Sequence, residues 1–373
     1  MNNGLNLLSG EAGTLREQLS FDDVALVPRH SMVKSRLDPN IQTKLGRVTL
    51  SVPIISSPMD TVTGHNMATS LGSRGAMGVI HRFCSPSEQS EELMKVIRFN
   101  ETDEFALKNE SYAPVVPAIG IGDSERDRFE LLYNNFYGRL DWIAIDVANG
   151  HSSSMREMID WVKNKTNGEI PLLVGNVATG EGFSFLADAG ADAIRVGIGG
   201  GSICKTRIMT GFGVPTLASV SDCYRAKQSS VSYENVAIIA DGGIRYPADL
   251  VKSLAAGADA VMAGRIFAGT LESPGEVVNI NGKKMKVYRG MASKEVQDDK
   301  RGGLRPGTCA EGVSTHIPLK GKAYYILEEF CGGLRSAMTY ADATNIDELR
   351  SNAIFIRLTS SGLEESHAFG TRT

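Results

Sequence analysis

The chain has 373 residues, more than an average domain but within the range of one α/β barrel with extensions. Hydrophobic residues make up 42%, charged residues 22% and aromatics 7%, which excludes a disordered or collagen-like chain and can supply a sizeable core. Lys and Arg total 39 against 43 Asp and Glu, a net charge of −4 with no basic run, so a nucleic acid is not an expected partner.

No apolar run reaches the roughly 18 to 20 residues of a membrane helix, and the start MNNGLNLLSGEAG has no charged and then apolar leader pattern. A cytoplasmic location with no membrane partner is the expectation.

Short β-branched runs bounded by turn residues recur eight times in chain order. They are VPIISSPM (52–59), MGVIH (77–81), APVVPAIGI (113–121), WIAIDVA (142–148), PLLVGNVA (171–178), AIRVGIG (193–199), NVAIIADGG (235–243) and AVMAGRIF (260–267). They are apolar throughout, as parallel strands covered on both faces are. Helical patterns such as SSSMREMIDWVKNK and YPADLVKSLAAG lie between them. Eight strand–helix repeats predict a (β/α)₈ TIM barrel over about 50–270 within one domain spanning 1–373. The polar, Gly-rich stretch 283–317 after the eighth run reads as a flap, bounded at about 283–320.

Catalytic groups of such a barrel sit at the C-terminal ends of its strands. This chain keeps its polar and Gly-rich strings there: SPMD, DVANGH, GNVATG, GIGGGSICKTR, DGGIR and GR. One or two Gly clusters would mark turns only, but polar residues at six strand ends point to a site.

The five cysteines, Cys84, Cys204, Cys223, Cys309 and Cys331, include no CxxC pair and are too scattered for a disulfide framework. Cys84, Cys223 and Cys331 read as small hydrophobes. Cys204 differs, because it ends the run Gly197-Ile198-Gly199-Gly200-Gly201-Ser202-Ile203 and is followed by Lys205, Thr206 and Arg207. A flexible, electropositive loop suits an activated thiol, and such a Gly run can also turn carbonyls toward a monovalent cation. Asp241-Gly242-Gly243 and Gly264-Arg265 follow strands seven and eight, where this fold often holds phosphate on backbone N–H groups. The carboxylate of Asp241 suits a ribose diol. His81 and His151, also at strand ends, read as hydrogen-bonded structural histidines.

The strings FDDVALVPRHSMVKSR, PIISSPMDTV, DVANGH, GNVATGE, GIGGGSICKTR, DGGIRYPADL, YRGMAS, AEGVSTHIPLKG and GGLRSAMTY resemble, in order from about Phe21 to Arg357, one family. It is the family of inosine-5′-monophosphate (IMP) dehydrogenase and guanosine-5′-monophosphate (GMP) reductase. Three features resemble the reductase branch. Only Phe83 to Tyr112 separates the second and third strands, so the regulatory cystathionine-synthase-like (CBS) pair of roughly 120 residues that most dehydrogenases insert there has no place. Between Gly290 and Glu311 there is no tyrosine, and Arg301 and Arg305 are followed by Gly and Pro, so the dehydrogenase's water-activating Arg-Tyr dyad is missing. Cys204 to Gly213 is similar to the reductase pattern C-x-T-R-x-x-T-G-x-G. MGVIHR and DGGIRYPADLVKSLAAGADAVMAG resemble the dehydrogenase barrel instead, and Gly307-Thr308 replaces the Tyr-Arg that precedes the reductase EG motif.

The resemblance implies a GMP reductase in which Cys204 attacks the purine and Thr206 and Glu311 form the proton relay. It implies that Asp241, Gly242, Gly243, Gly264, Arg265, Gly290, Met291, Ala292 and Gly312 bind the nucleotide, GMP or IMP. Ser35, Arg36, Arg82, Asp146, Val147, Ala148, Ser336, Ala337, Met338 and Thr339 match cofactor positions for NADPH, with NADH as the alternative, the last four reaching from a neighbouring subunit. Carbonyls of Gly199, Gly201, Cys204 and Arg207 match a potassium site, and the family assembles as homotetramers. The competing expectations are an IMP dehydrogenase without CBS domains, a nucleotide-binding protein that has lost catalysis, and a flavin-dependent barrel oxidoreductase.

Overall fold

A computed structural model of the protein describes residues 17–46, 48–102, 112–304 and 306–366, with the backbone alone at 300 and 301. Arg305 lies outside the described residues, as does the side chain of Arg301. The strands in chain order are β1 (Val24–Leu26), β2 (Thr43–Leu45), β3 (Val48–Leu50), β4 (Ile54–Ser56), β5 (Met77–Gly78), β6 (Ala118–Ile119), β7 (Ile143–Asp146) and β8 (Leu172–Val177), followed by β9 (Ala193–Val196), β10 (Ala237–Asp241), β11 (Ala260–Ala263), β12 (Val278–Ile280), β13 (Lys283–Arg289), β14 (Ser314–Pro318) and β15 (Phe355–Arg357).

Strands β4 to β11 form one parallel sheet in the order β5-β4-β11-β10-β9-β8-β7-β6. A parallel bridge between Ile80 and Pro117 joins its two edges. Ile80 N donates to Val116 O and Ala118 N to Ile80 O, both at 2.8 Å, so the sheet closes into the expected barrel. All eight expected runs contain a barrel strand, each shorter than the run. The first is a strand only over Ile54–Ser56, because Pro53 carries no N–H for the ladder and Ser57-Pro58 turns the chain at the site.

The continuous apolar runs are explained by two cores that alternate along each strand. Ile54, Ile143, Ile145, Ile238 and Val261 face the surrounding helices, whereas Ile55, Ala144, Ala237, Ile239, Ala260 and Met262 fill the barrel. Leu45 and Leu50 of the β2–β3 hairpin join the inner core. Gly46 at the hairpin tip packs on Asp192 and Asn235, just before β9 and β10, so the hairpin plugs the N-terminal end. The opposite end is left open for chemistry.

The helix expected in SSSMREMIDWVKNK runs over Ser153–Thr166. Its N-cap Ser152 accepts from Met155 N, and Met155, Met158, Ile159 and Val162 are buried on one face. The flap is more ordered than a loop: β12, β13 and β14 form an antiparallel sheet. Helix Lys294–Arg301 is set into it, started by Ser293 and ended by Gly302 at φ +72°. No helix among the described residues is long and apolar enough to cross a membrane.

Candidate active site

The loop after β9 is folded by its glycines. At Gly197, φ is +148° and a Cβ would lie 2.0 Å from the Asp241 carbonyl oxygen, so only glycine lets the chain leave β9 against the end of β10. The Arg207 side chain lies across Gly199 and Gly213, where a Cβ at either position would clash with it. Cys204 N donates to Gly201 O at 3.1 Å, which turns the thiol out of the glycine run.

The flap then pairs with this turn. Val313 N donates to Ile203 O at 3.1 Å and Lys205 N to Glu311 O at 2.6 Å, so Cys204 and Gly312 face one another as an antiparallel pair. That pairing seats Glu311 beside Thr206, 105 positions away in sequence. The Thr206 hydroxyl donates to Glu311 Oε2 at 2.8 Å, and the Cys204 thiol donates to Thr206 Oγ1 at 3.1 Å. The half-buried thiol is thus connected through one hydroxyl to one carboxylate. A carboxylate on such a path can take or return a proton near the sulfur.

Under the thiol loop lies a buried charge cluster. Arg195, 6% exposed, projects from β9 and donates to Asp146 Oδ1 at 2.5 Å and to Asp241 Oδ2 at 2.8 Å. Burial opposes its charge, but the two carboxylates prevail and hold its pKa above the usual guanidinium range. Asn176 Nδ2 donates to the same Asp241 oxygen and to Gly197 O, both at 2.8 Å. The carboxylate of Asp241 is therefore fixed at the strand end. Arg195→Met is expected to cost about 3–5 kcal/mol of stability, because it strands two carboxylates in a protein interior. A chemical melt checks this, and a loss below about 1 kcal/mol would contradict it.

These groups line one cavity of about 630 Å³ at the C-terminal end of the barrel. Gly242 and Gly243, at φ +93° and +83°, bring the β10 loop against Gly200 and the Phe21 ring. Gly264 and Arg265 follow β11, and a Cβ at Gly264 would meet Met59 Sδ at 3.0 Å. The flap contributes Tyr288, Gly290, Met291, Ala292, Gln297, Glu311 and Gly312 to the wall. It is clamped to the SPMD loop by Arg289, which donates to Asp60 Oδ2 at 2.7 and 2.9 Å and to Asp299 Oδ2 at 2.7 Å. Tyr288 shares a hydrogen bond with Ser202 at 3.2 Å, and its burial raises its pKa, which keeps the phenol neutral.

All the residues expected to be catalytic or nucleotide-binding line this cavity, as do Arg82, Asp146, Val147, Ala148, Gly199, Gly201 and Arg207. Arg82 packs over the Phe83 ring at 4.9 Å and donates to the Asp146 carbonyl at 3.1 Å. Six expected cofactor residues lie elsewhere. Ser35 and Arg36 are in the exposed segment after β1, and Ser336 to Thr339 belong to helix Ala323–Tyr340 on the barrel's outer side, where Met338 is fully buried. Ser336 and Ala337 line a second, apolar groove with Val27, Pro28, Val251 and Tyr340. Cys223 and Cys331 are buried and Cys84 is half-buried, whereas Cys309 is exposed on the flap. His151 is exposed and packs its ring against Phe185 at 4.9 Å.

Asn176, Arg195, Tyr288 and Gln297 also line the cavity, and no sequence motif gives them a role. Arg195 did carry a signal: a charge inside an apolar strand run has to find buried partners. Among the described residues no group of three or more His, Cys, Asp and Glu could hold a metal ion.

The chain matches the model of the IMP dehydrogenase / GMP reductase domain over residues 18–369. It is 36% identical to the inosine-5′-monophosphate dehydrogenase of Borreliella burgdorferi over 401 positions, covering 94% of this chain and 96% of the relative. It is 38% identical to that of Cryptosporidium parvum over 388 positions, covering 94% of each. With the Aquifex aeolicus dehydrogenase the identity is 32% over 476 positions, covering 95% of each. The Aquifex enzyme thus carries roughly 120 residues without counterpart here, the size of a small domain. Among solved structures, a cysteine-to-alanine variant of GMP reductase from Trypanosoma brucei in complex with guanosine 5′-monophosphate superposes with a TM-score of 0.87 at 28% identity, covering 96% of this chain and 99% of that one. The chain is therefore a member of the IMP dehydrogenase/GMP reductase family, NAD(P)-dependent oxidoreductases of purine metabolism, on a (β/α)₈ barrel without the CBS pair.

Proposed function

We propose that the protein is a GMP reductase, converting GMP to IMP and ammonia with a reduced nicotinamide. The observation that carries this reading is the hydrogen-bonded chain from Cys204 through Thr206 to Glu311, in a flap with no tyrosine between Gly290 and Glu311. A carboxylate relay suits protonation of a leaving amine.

The Cys204 thiol passes its proton to Thr206 as the hydroxyl proton moves to Glu311, and the thiolate adds to C2 of the guanine ring. Glu311 then returns the proton through Thr206 to the 2-amino group. That nitrogen leaves as ammonia with the C–N bonding pair, and the π pair that thiolate addition had moved onto N3 re-forms the C2–N3 double bond, leaving C2 bonded to sulfur. NADPH, when bound, supplies the hydride to C2. Departure of the sulfur with its bonding pair regenerates the thiolate and releases IMP.

Asp241, fixed by Arg195 and Asn176, offers its second oxygen to the ribose diol. N–H groups of Gly242, Gly243, Gly264 and Arg265 receive the phosphate, and Gly290, Met291, Ala292 and Gly312 border the base. Arg82 and the Asp146–Ala148 strand end fit the nicotinamide side, since Arg82 is already held by the Asp146 carbonyl and Glu125. Ser35, Arg36 and Ser336 to Thr339 would meet the cofactor only across a subunit boundary, as in a homotetramer. No backbone N–H of the described residues donates to the carbonyls of Gly199 or Cys204, and those of Gly201 and Arg207 each accept one. These four carbonyls fit a potassium ion, which would stiffen the thiol loop.

The names of the relatives favour a second reading, IMP dehydrogenase. That reaction needs a water-activating group, yet Tyr288, the one tyrosine among the described residues that lines the cavity, is kept as a neutral phenol. Incubation with GMP and NADPH is expected to yield IMP and ammonia in equal amounts. Formation of xanthosine monophosphate from IMP and NAD⁺, with no ammonia from GMP, would overturn the proposal.

A further inference from the structure

Lys320 stands at the root of the flap, two residues beyond β14. Its ammonium donates to the carbonyl oxygens of Arg265 at 2.7 Å and Ile266 at 2.9 Å, in the turn that follows β11. Its backbone N–H donates to Gly269 O at 2.7 Å, and Leu271 N donates to Gly321 O at 3.2 Å. The other flap strand sends Lys286, 4% exposed, to the carbonyls of Thr270 at 3.1 Å and Ser273 at 2.5 Å. Two lysines of the flap therefore hold four carbonyls of one turn, and the front of that turn, Gly264 and Arg265, faces the nucleotide cavity.

A peptide unit is planar and trans, so a fixed carbonyl also fixes the N–H on the other side of the same unit. Holding the carbonyls of Arg265 and Ile266 therefore sets which way the Ile266 and Phe267 N–H groups point, and with them the course of the chain past Gly264. Phe267 N and Ala268 N both turn back to Gly264 O, at 3.1 and 2.9 Å, which completes the turn on itself.

We propose that Lys320 is a positioning residue for the nucleotide phosphate, holding the Gly264–Arg265 turn in its anion-accepting shape and making that shape depend on a seated flap. The inference rests on the assignment of this turn to phosphate under Proposed function. Lys320 also sets a positive charge behind the turn. Burial, with Arg265 as the charged neighbour facing it, lowers its pKa to about 8. The other charged groups at the turn, Glu272 within it and Lys286 from β13, are engaged at its far end by Ala323 N and by the Thr270 and Ser273 carbonyls. A bound phosphate favours the charged lysine, so phosphate affinity falls as pH rises through about 8. Phosphate is already a dianion there, and its second ionisation near pH 6 is complete.

The test measures calorimetric binding of GMP and of guanosine to the full-length wild type, Lys320→Gln and Lys320→Arg, with steady-state kinetics in parallel. Lys320→Gln is expected to weaken GMP about 10- to 100-fold, the scale of a lost charge-assisted contact, and to leave guanosine unchanged. KM for GMP rises while kcat is nearly kept, and Lys320→Arg restores most of the affinity. In the wild type, GMP affinity declines above pH 8 relative to guanosine, a profile that needs no variant and also cancels titration of the base.

Equal weakening of GMP and guanosine by Lys320→Gln, or a fall in kcat at constant KM, would overturn the proposal by showing flap support alone. Wild-type protein that binds guanosine as tightly as GMP would instead remove the phosphate assignment itself, and the proposal with it.

Discussion

Glu311→Gln is expected to lower kcat for GMP reduction by about 10²- to 10⁴-fold, the usual worth of a positioned acid–base group, with KM little changed. The amide can still accept the Thr206 hydroxyl, so the geometry of the flap survives, but it cannot take up the thiol proton or return it to the leaving nitrogen. Thr206→Val should act in the same direction by cutting the chain at its centre, and Thr206→Ser should restore it. Steady-state kinetics and ammonia release measured together check this. A loss below about tenfold would mean that Glu311 is only a seat for the flap.

Cys204→Ala should remove turnover altogether, a drop of at least about 10⁴-fold, because among the described residues no other cysteine lines the cavity. Nucleotide binding should survive, since the glycine loops and the fixed Asp241 carboxylate that form the other walls do not depend on the thiol. A GMP-induced shift in melting temperature, compared between wild type and variant, measures this separately from activity. Cys309, exposed on the flap, is the internal control, and its replacement by serine should leave the rate as it was. Residual turnover in Cys204→Ala, or its loss in Cys309→Ser, would contradict the assignment of the nucleophile.

Much of the barrel was legible because each strand is buried on both faces, which turns a parallel strand into an uninterrupted apolar run. What remained hidden was where the runs stop being strands. Val147 and Ala148 extend the fourth run into the site, and the β2–β3 plug at the barrel floor is too short to show a pattern. In the site, Cys204 and its glycines were legible from local chemistry alone. The approach of Glu311 was not, since it depends on an antiparallel pairing across 105 positions and reached the sequence reading only through the family resemblance. Arg195 sat unnoticed within a strand, although a lone charge in an apolar run needs buried partners. Ser336 to Thr339 illustrate the opposite limit, because they sit in a helix on the outer side of the barrel, away from the cavity lined by Cys204.

The most direct measurement of the central claim follows the near-ultraviolet absorbance of reduced nicotinamide in two samples of purified protein with potassium. One contains GMP and NADPH, the other IMP and NAD⁺. Absorbance is expected to fall in the first, to stay level there in Cys204→Ala, and to stay flat in the second. A rise in the second with no change in the first would contradict it, and would place the water-activating group of a dehydrogenase in a flap that has no Arg-Tyr dyad.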